Sequence, residues 1–147
     1  MALRLSTGTR TRLLEGGSLK DILQGGVMDI FTGSQPASAD YTESGTKLVR
    51  ISSTSGTGAD DGLKFGTAAA GVLGLTTPAW KGLVLTDGVA GWFRFYGTTG
   101  TSGTSATTWR VDGNVGVSGA DLNLTHTSLT EKTTVTISTF NITQPAE

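Results

Sequence analysis

Apolar and polar residues alternate in short runs along this chain, at spacings of roughly 8–15 residues, and each run predicts a strand. Residues 27–31 (VMDIF) form the first clear run. Residues 46–52 (TKLVRIS) form another, with Val49 and Ile51 on one side and Leu48 and Arg50 on the other. Residues 79–85 (AWKGLVL) are strand-like, and Asp87-Gly88 is a hairpin signal after them. Residues 92–96 (WFRFY) are the most aromatic stretch and are expected to be the central strand. Their alternation puts Phe93 and Phe95 on one face and Trp92, Arg94 and Tyr96 on the other. Residues 109–117 suggest a hairpin, WRV and VGV around a DGN turn. Residues 120–125 alternate through Leu122 and Leu124. Residues 133–142 form the longest run. Val135 and Ile137 share a parity, whereas Phe140 and Ile142 are one residue out of step, which predicts a bulge or sharp twist near Ser138-Thr139.

One short helix interrupts this pattern. Ser18 can cap it, Asp21 lies three residues on, Leu19, Ile22 and Leu23 share a face, and Gly25-Gly26 ends it. Ahead of it, residues 1–17 alternate Arg and Thr with leucine and are expected to be an extended arm. That arm is either a subunit clamp with a basic face or an ordinary solvated terminus. Residues 63–65 are expected to be extended, and residues 67–75 are ambiguous: their alanines permit a helical turn, but Gly66, Gly71 and Gly74 oppose a long one. Residues 53–62 and 97–108 carry small polar residues and are expected to be surface loops. About eight short strands with one helix make the expected fold all-β: a β-sandwich, jelly-roll-like, with one short N-terminal helix. The expected organisation is an arm at 1–17 and a single domain at 18–147.

Composition sharpens this picture. The 147 residues include 22 glycines but only 36% apolar residues, which suits many tight turns. A net charge of −1 offers no concentrated basic surface, so nucleic acid is not the expected partner. No apolar run approaches the ~20 residues of a membrane helix, and no signal-peptide core precedes the first strand. A chain made in the cytoplasm, with no membrane partner, is expected. With no cysteine there are no thiolate ligands or nucleophiles. His126 is the only histidine and its Thr/Ser neighbours suit an exposed position rather than a triad. Asp60-Asp61 and the stretch from Asp112 to Asp121 resemble fragments of calcium loops, but turn chemistry accounts for both. No enzyme activity, cofactor or metal is therefore expected.

Four phrases carry a resemblance: GVMDIFTGSQPASAD, LKFGTAAAGVL, GVAGWFRFY, and VDGNVGVSGADLNL with TVTISTFNITQPA. Together they span residues 26–146. The tract resembles small Gly/Thr-rich virion proteins of tailed bacteriophages. That resemblance implies a structural protein on the capsid surface, of decoration (cement) type, partnered by the major capsid protein and assembled as a dimer or trimer. A collar, tail or fibre module is the alternative within the same context, and a tryptophan-based carbohydrate-binding sandwich is a further one. The expected contact residues are Arg4, Arg10 and Arg12 on the arm, with Trp92, Arg94 and Tyr96 on the polar face of the central strand.

Overall fold

Alternation organises one large sheet around a single long strand. The computed structural model describes residues 3–52, 62–76, 79–98 and 101–143. In chain order the elements are β1 (Arg4–Leu5), α1 (Thr7–Leu14), α2 (Leu19–Leu23), β2 (Val27–Thr32), β3 (Lys47–Ile51), β4 (Val72–Gly74), β5 (Trp80–Leu83), β6 (Gly88–Tyr96), β7 (Arg110–Gly116), β8 (Leu122–Asn123), β9 (Ser128–Leu129), β10 (Thr134–Ile137) and β11 (Asn141–Thr143). The main sheet runs β1-β7-β6-β2-β3, with β8 added to β7 and β9 to β6. β10 pairs with β5 and β11 with β4, as two separate ribbons. All these pairings are antiparallel except that of β7 with β8. The fold is all-β, and β6 is its central strand.

One face of the main sheet is apolar. Met28 lies opposite Phe95 and Ile51, Ile30 opposite Phe93 and Val49, and Val111 opposite Phe95. All of these side chains are buried. Phe65, Trp80, Phe93, Phe95 and Phe140 then form a connected aromatic cluster, with ring centroids 5.1–6.5 Å apart. Burying each such ring contributes about 1.5–3 kcal/mol, so this cluster is the centre of the core. α2 closes one end. Its Ser18 hydroxyl accepts from the Asp21 N–H, and Ile22 and Leu23 are fully buried.

Several local expectations change in the folded chain. Asp87-Gly88 does not turn a hairpin: β5 leaves the main sheet to pair with β10, and only β6 continues in it. Gly82 lets β5 lie close against β3, because a Cβ there would be 2.3 Å from the Arg50 carbonyl oxygen. Asp112-Gly113-Asn114 is no turn either, since β7 runs straight through it. The segment at 1–17 is not an extended arm. Its Thr7–Leu14 stretch is a second helix, α1, capped by Ser6 and preceded by a strand paired to β7. The parity slip in 133–142 is larger than a bulge: β10 and β11 belong to different ribbons, and both alternations point inward. Residues 67–75 resolve to strand at β4. The proposed loop at 53–62, with Asp60-Asp61, falls mostly outside the described residues.

Candidate functional site

The second face of the main sheet should be polar by alternation, and it carries charge in register across β3, β2, β6, β7 and β1. Arg50 of β3 lies opposite Asp29 of β2, Asp29 opposite Arg94 of β6, Arg94 opposite Asp112 of β7, and Asp112 opposite Arg4 of β1. The signs alternate along the whole row. At its centre the Arg94 guanidinium donates to both carboxylate oxygens of Asp112, Nε to Oδ1 at 2.7 Å and Nη2 to Oδ2 at 2.8 Å. Both side chains have no solvent exposure. Asp29 receives the matching two-pronged bond from Arg50, at 2.7 and 2.8 Å. Paired forks of this kind are the strong form of an ion pair, and they tolerate burial only when the remaining donors are also satisfied.

Those donors are satisfied by two loops. Arg94 Nη1 donates to the Tyr41 carbonyl oxygen (2.8 Å) and to Glu43 Oε1 (3.1 Å). The Tyr96 hydroxyl donates to the same Glu43 oxygen at 2.6 Å, and the Gly103 N–H donates to the other at 3.0 Å. Arg110 reaches the carbonyl oxygens of Ala39 (3.3 Å) and Thr101. Trp92 stacks on Phe31 at 4.6 Å and donates from Nε1 to the Ser44 carbonyl oxygen at 3.1 Å. Arg94 and Arg110 also lie over the rings of Trp92 and Tyr96, at 5.4 and 5.9 Å. The segments 39–44 and 101–105 are thereby tied down onto the sheet. They are tied to each other by the Ser105 N–H on the Asp40 carbonyl oxygen and by Thr42–Thr104 hydroxyl contact.

α1 joins the same structure. Asp40 accepts from the Thr7 N–H at 2.8 Å and from its hydroxyl at 2.6 Å. Gly8 allows the helix to sit against the second loop, since a Cβ there would meet the Thr107 carbonyl oxygen at 2.3 Å. The resulting outer surface is uncharged and hydroxyl-rich, with Thr42, Ser44, Thr104 and Thr107 exposed and Tyr41 more than half exposed. Three arginines border it. Arg4 donates to the Pro36 carbonyl oxygen (2.6 Å), Arg10 to the Thr7 hydroxyl (2.8 Å), and Arg12 lines a cleft with Thr107 and Trp109.

The six expected contact residues thus converge on one region, at two depths. Arg4, Arg10 and Arg12 are exposed on its border. Trp92, Arg94 and Tyr96 are not a contact face: they are buried beneath the loops, and their polar atoms are used inside the chain. The sequence contains the partner of Arg94, but Asp112 sits in a DGN stretch that reads as a turn. Glu43, Asp40 and Arg110 carry no local pattern that marks them. The signal that could have found them is the Arg at a central-strand position between two aromatics, which requires a carboxylate from elsewhere. His126 is exposed, as expected. The Asn114 N–H donates to Asp121 Oδ2 at 3.1 Å and the Asp121 N–H to Asn114 Oδ1 at 3.0 Å, so these two side chains link β7 to the segment before β8. Among the described residues no group of three or more His, Asp or Glu side chains is placed to hold a metal ion. No family model, curated protein or solved structure matches the chain.

Burial raises the affinity of Glu43 for its proton, but the Tyr96 hydroxyl, the Gly103 N–H and the Arg94 charge outweigh it and hold the carboxyl below its ordinary 4.5. Burial and the neighbouring Glu43 push the Tyr96 hydroxyl up, so it stays a donor. The folded value of Glu43 is therefore lower than its unfolded one. Its contribution to stability is present above the unfolded value and is lost as pH falls through the folded value. Denaturant titrations between about pH 6 and about pH 3 should show wild type losing stability more steeply than Glu43→Gln. Parallel curves would mean that Glu43 does not hold the loops through its charge.

Proposed function

We propose that this chain is a structural protein of a tailed-phage virion, most specifically a capsid decoration protein that binds the outer shell and stabilises it. The observation that carries the proposal is the loop surface over the β6 charges. A partner meeting it finds backbone and hydroxyl groups, an exposed Tyr41, and a border of Arg4, Arg10 and Arg12. Tyrosine and arginine are the side chains that most often dominate protein contacts. The pinned loops lose little freedom on binding, which lowers the cost of association. The charged groups beneath are committed to each other and to the loops, so their role is to hold that surface. The resemblance to Gly/Thr-rich virion proteins supplies the context. Repetition on a symmetric shell then allows a modest single contact to suffice.

The first test is copy number in purified particles, by quantitative peptide mass spectrometry against the major capsid protein. A ratio comparable with the capsid protein is expected. A few copies per particle would move the chain to a collar, tail or fibre position, and absence would remove the virion role. A binding assay with charge reversal at Arg10 and Arg12 tests the surface itself. The expected result is weaker binding to assembled shells that grows milder with added salt, because the lost attraction is already screened there.

A further inference from the structure

Residues 80–89 and 128–137 pair in one continuous antiparallel register. Trp80 lies opposite Ile137, Leu83 opposite Thr134 and Gly88 opposite Leu129, and the Val84 N–H donates to the Thr133 carbonyl oxygen at 2.8 Å between them. Trp80, Val84 and Ala90 turn inward and are buried. By alternation the other parity turns outward, as Ala79, Lys81, Leu83, Leu85, Asp87 and Val89. Leu83, Leu85 and Val89 are 42%, 53% and 60% exposed. Among the described residues six large apolar side chains are exposed, and these three share one face of one strand, whereas Leu14, Tyr41 and Val117 stand apart along the chain. Single exposed apolar residues are ordinary surface, but a contiguous stripe marks a contact site.

The stripe is complementary to itself. Turned end for end about Val84, it brings Ala79 opposite Val89, Lys81 opposite Asp87, and Leu83 opposite Leu85. Apolar groups then meet at the centre and at both ends, and opposite charges meet between them. Those charges are available. Among the described residues neither Lys81 nor Asp87 forms an ion pair within the chain, whereas Lys132 pairs with Glu131. Asp87 Oδ1 accepts from the Glu131 N–H at 2.7 Å, which holds that carboxylate in place.

We propose that this face binds a second copy of the chain, about a two-fold axis that crosses the strand at Val84 and sets the two stripes antiparallel. Leu83 of each copy meets Leu85 of the other, and two Lys81–Asp87 pairs flank the leucines. The charges select this arrangement. With the strands parallel, Lys81 would face Lys81 and Asp87 would face Asp87, and such like-charge contacts exclude a pairing. A two-fold contact uses the same patch on both copies and closes at two, so the assembly is a dimer and not a trimer. The inference goes beyond the shell-binding reading and does not rest on it, because the stripe shares no residue with the surface over β6 and is tested on the chain alone.

The test is sedimentation equilibrium of the full chain from micromolar to millimolar concentration, with far-UV circular dichroism to show that each variant is folded. Wild type is expected to be a dimer. Leu83→Asp should weaken it by about a hundredfold or more, since it places an unpaired charge in each half of the contact. Lys81→Asp and Asp87→Lys should each weaken it about tenfold at low salt, because each turns two attractions into repulsions. Mixed in equal amounts, these two variants should associate with each other as tightly as wild type does, since opposite charges face one another again. A monomeric or trimeric wild type, or a dimer that Leu83→Asp leaves intact, would overturn the proposal. So would a mixture of the two folded charge variants that associates no better than either alone.

Discussion

Replacing Arg94 with methionine should destabilise the protein by about 3–5 kcal/mol, because it strands Asp112 as a buried charge with no partner. Asp112 has no solvent exposure, and Arg94 provides both of its fork contacts. The same substitution removes the donor to the Tyr41 carbonyl oxygen and one of the groups holding Glu43. For a chain of this length the loss corresponds to a Tm lower by roughly 8–16 °C. The double variant Arg94→Met/Asp112→Leu should recover much of it, since a neutral pair has no charge to desolvate. Thermal unfolding of the two variants decides the matter. A single variant within about 1 kcal/mol of wild type would show that water reaches Asp112 and that the row of charges is not what anchors the loops.

Trp80→Ala should cost about as much by a different mechanism, roughly 3–5 kcal/mol. Trp80 is fully buried and touches Phe65, Phe95 and Phe140, with centroids 5.1, 5.8 and 5.7 Å away. Its Nε1 also donates to the Lys64 carbonyl oxygen at 3.2 Å. Truncation empties the space between the main sheet and the β5–β10 ribbon and leaves that carbonyl without its indole donor. The denaturant midpoint should fall while the slope stays constant, because the surface exposed on unfolding hardly changes. Trp80→Phe should fall less, since a ring still fills most of the site. A midpoint close to wild type for the alanine variant would mean that the neighbouring rings collapse into the gap.

The contrast between these two sites explains what the sequence could reveal. The apolar face was legible, because period-two alternation is local and Val49, Ile51, Phe93 and Phe95 follow it without exception. The helix at Leu19–Leu23 was legible from its cap and its three apolar residues. α1 was not, because its buried residues are Gly8 and Thr9, which produce no hydrophobic periodicity. Its signal was the Ser6 cap, whose hydroxyl accepts from the Thr9 N–H. The DGN stretch misled for a related reason. Asp-Gly-Asn is turn chemistry when nothing else claims the aspartate, and the claim on Asp112 comes from Arg94, 18 positions away. The hairpin signal at Asp87-Gly88 failed similarly: Asp87 instead accepts from the Glu131 N–H at 2.7 Å. The candidate surface depends on contacts between residues 39–44 and 101–105, so only its arginine border was visible beforehand.

The row of alternating charges also bears on how the chain finds its alignment. Sliding β6 by one residue against β2 would drive Arg94 into the aromatic core. Sliding it by two would keep the apolar face inward and would ordinarily pass unnoticed. Here it would set Trp92 or Tyr96 opposite Asp112, leaving that carboxylate enclosed without its Arg94 fork, while Asp29 keeps Arg50. The same penalty applies to β7, because Asp112 takes both of its fork contacts from Arg94 of β6. The native register alone therefore supplies the Arg94–Asp112 fork, and a sheet slipped by two residues keeps its apolar face but loses that pair.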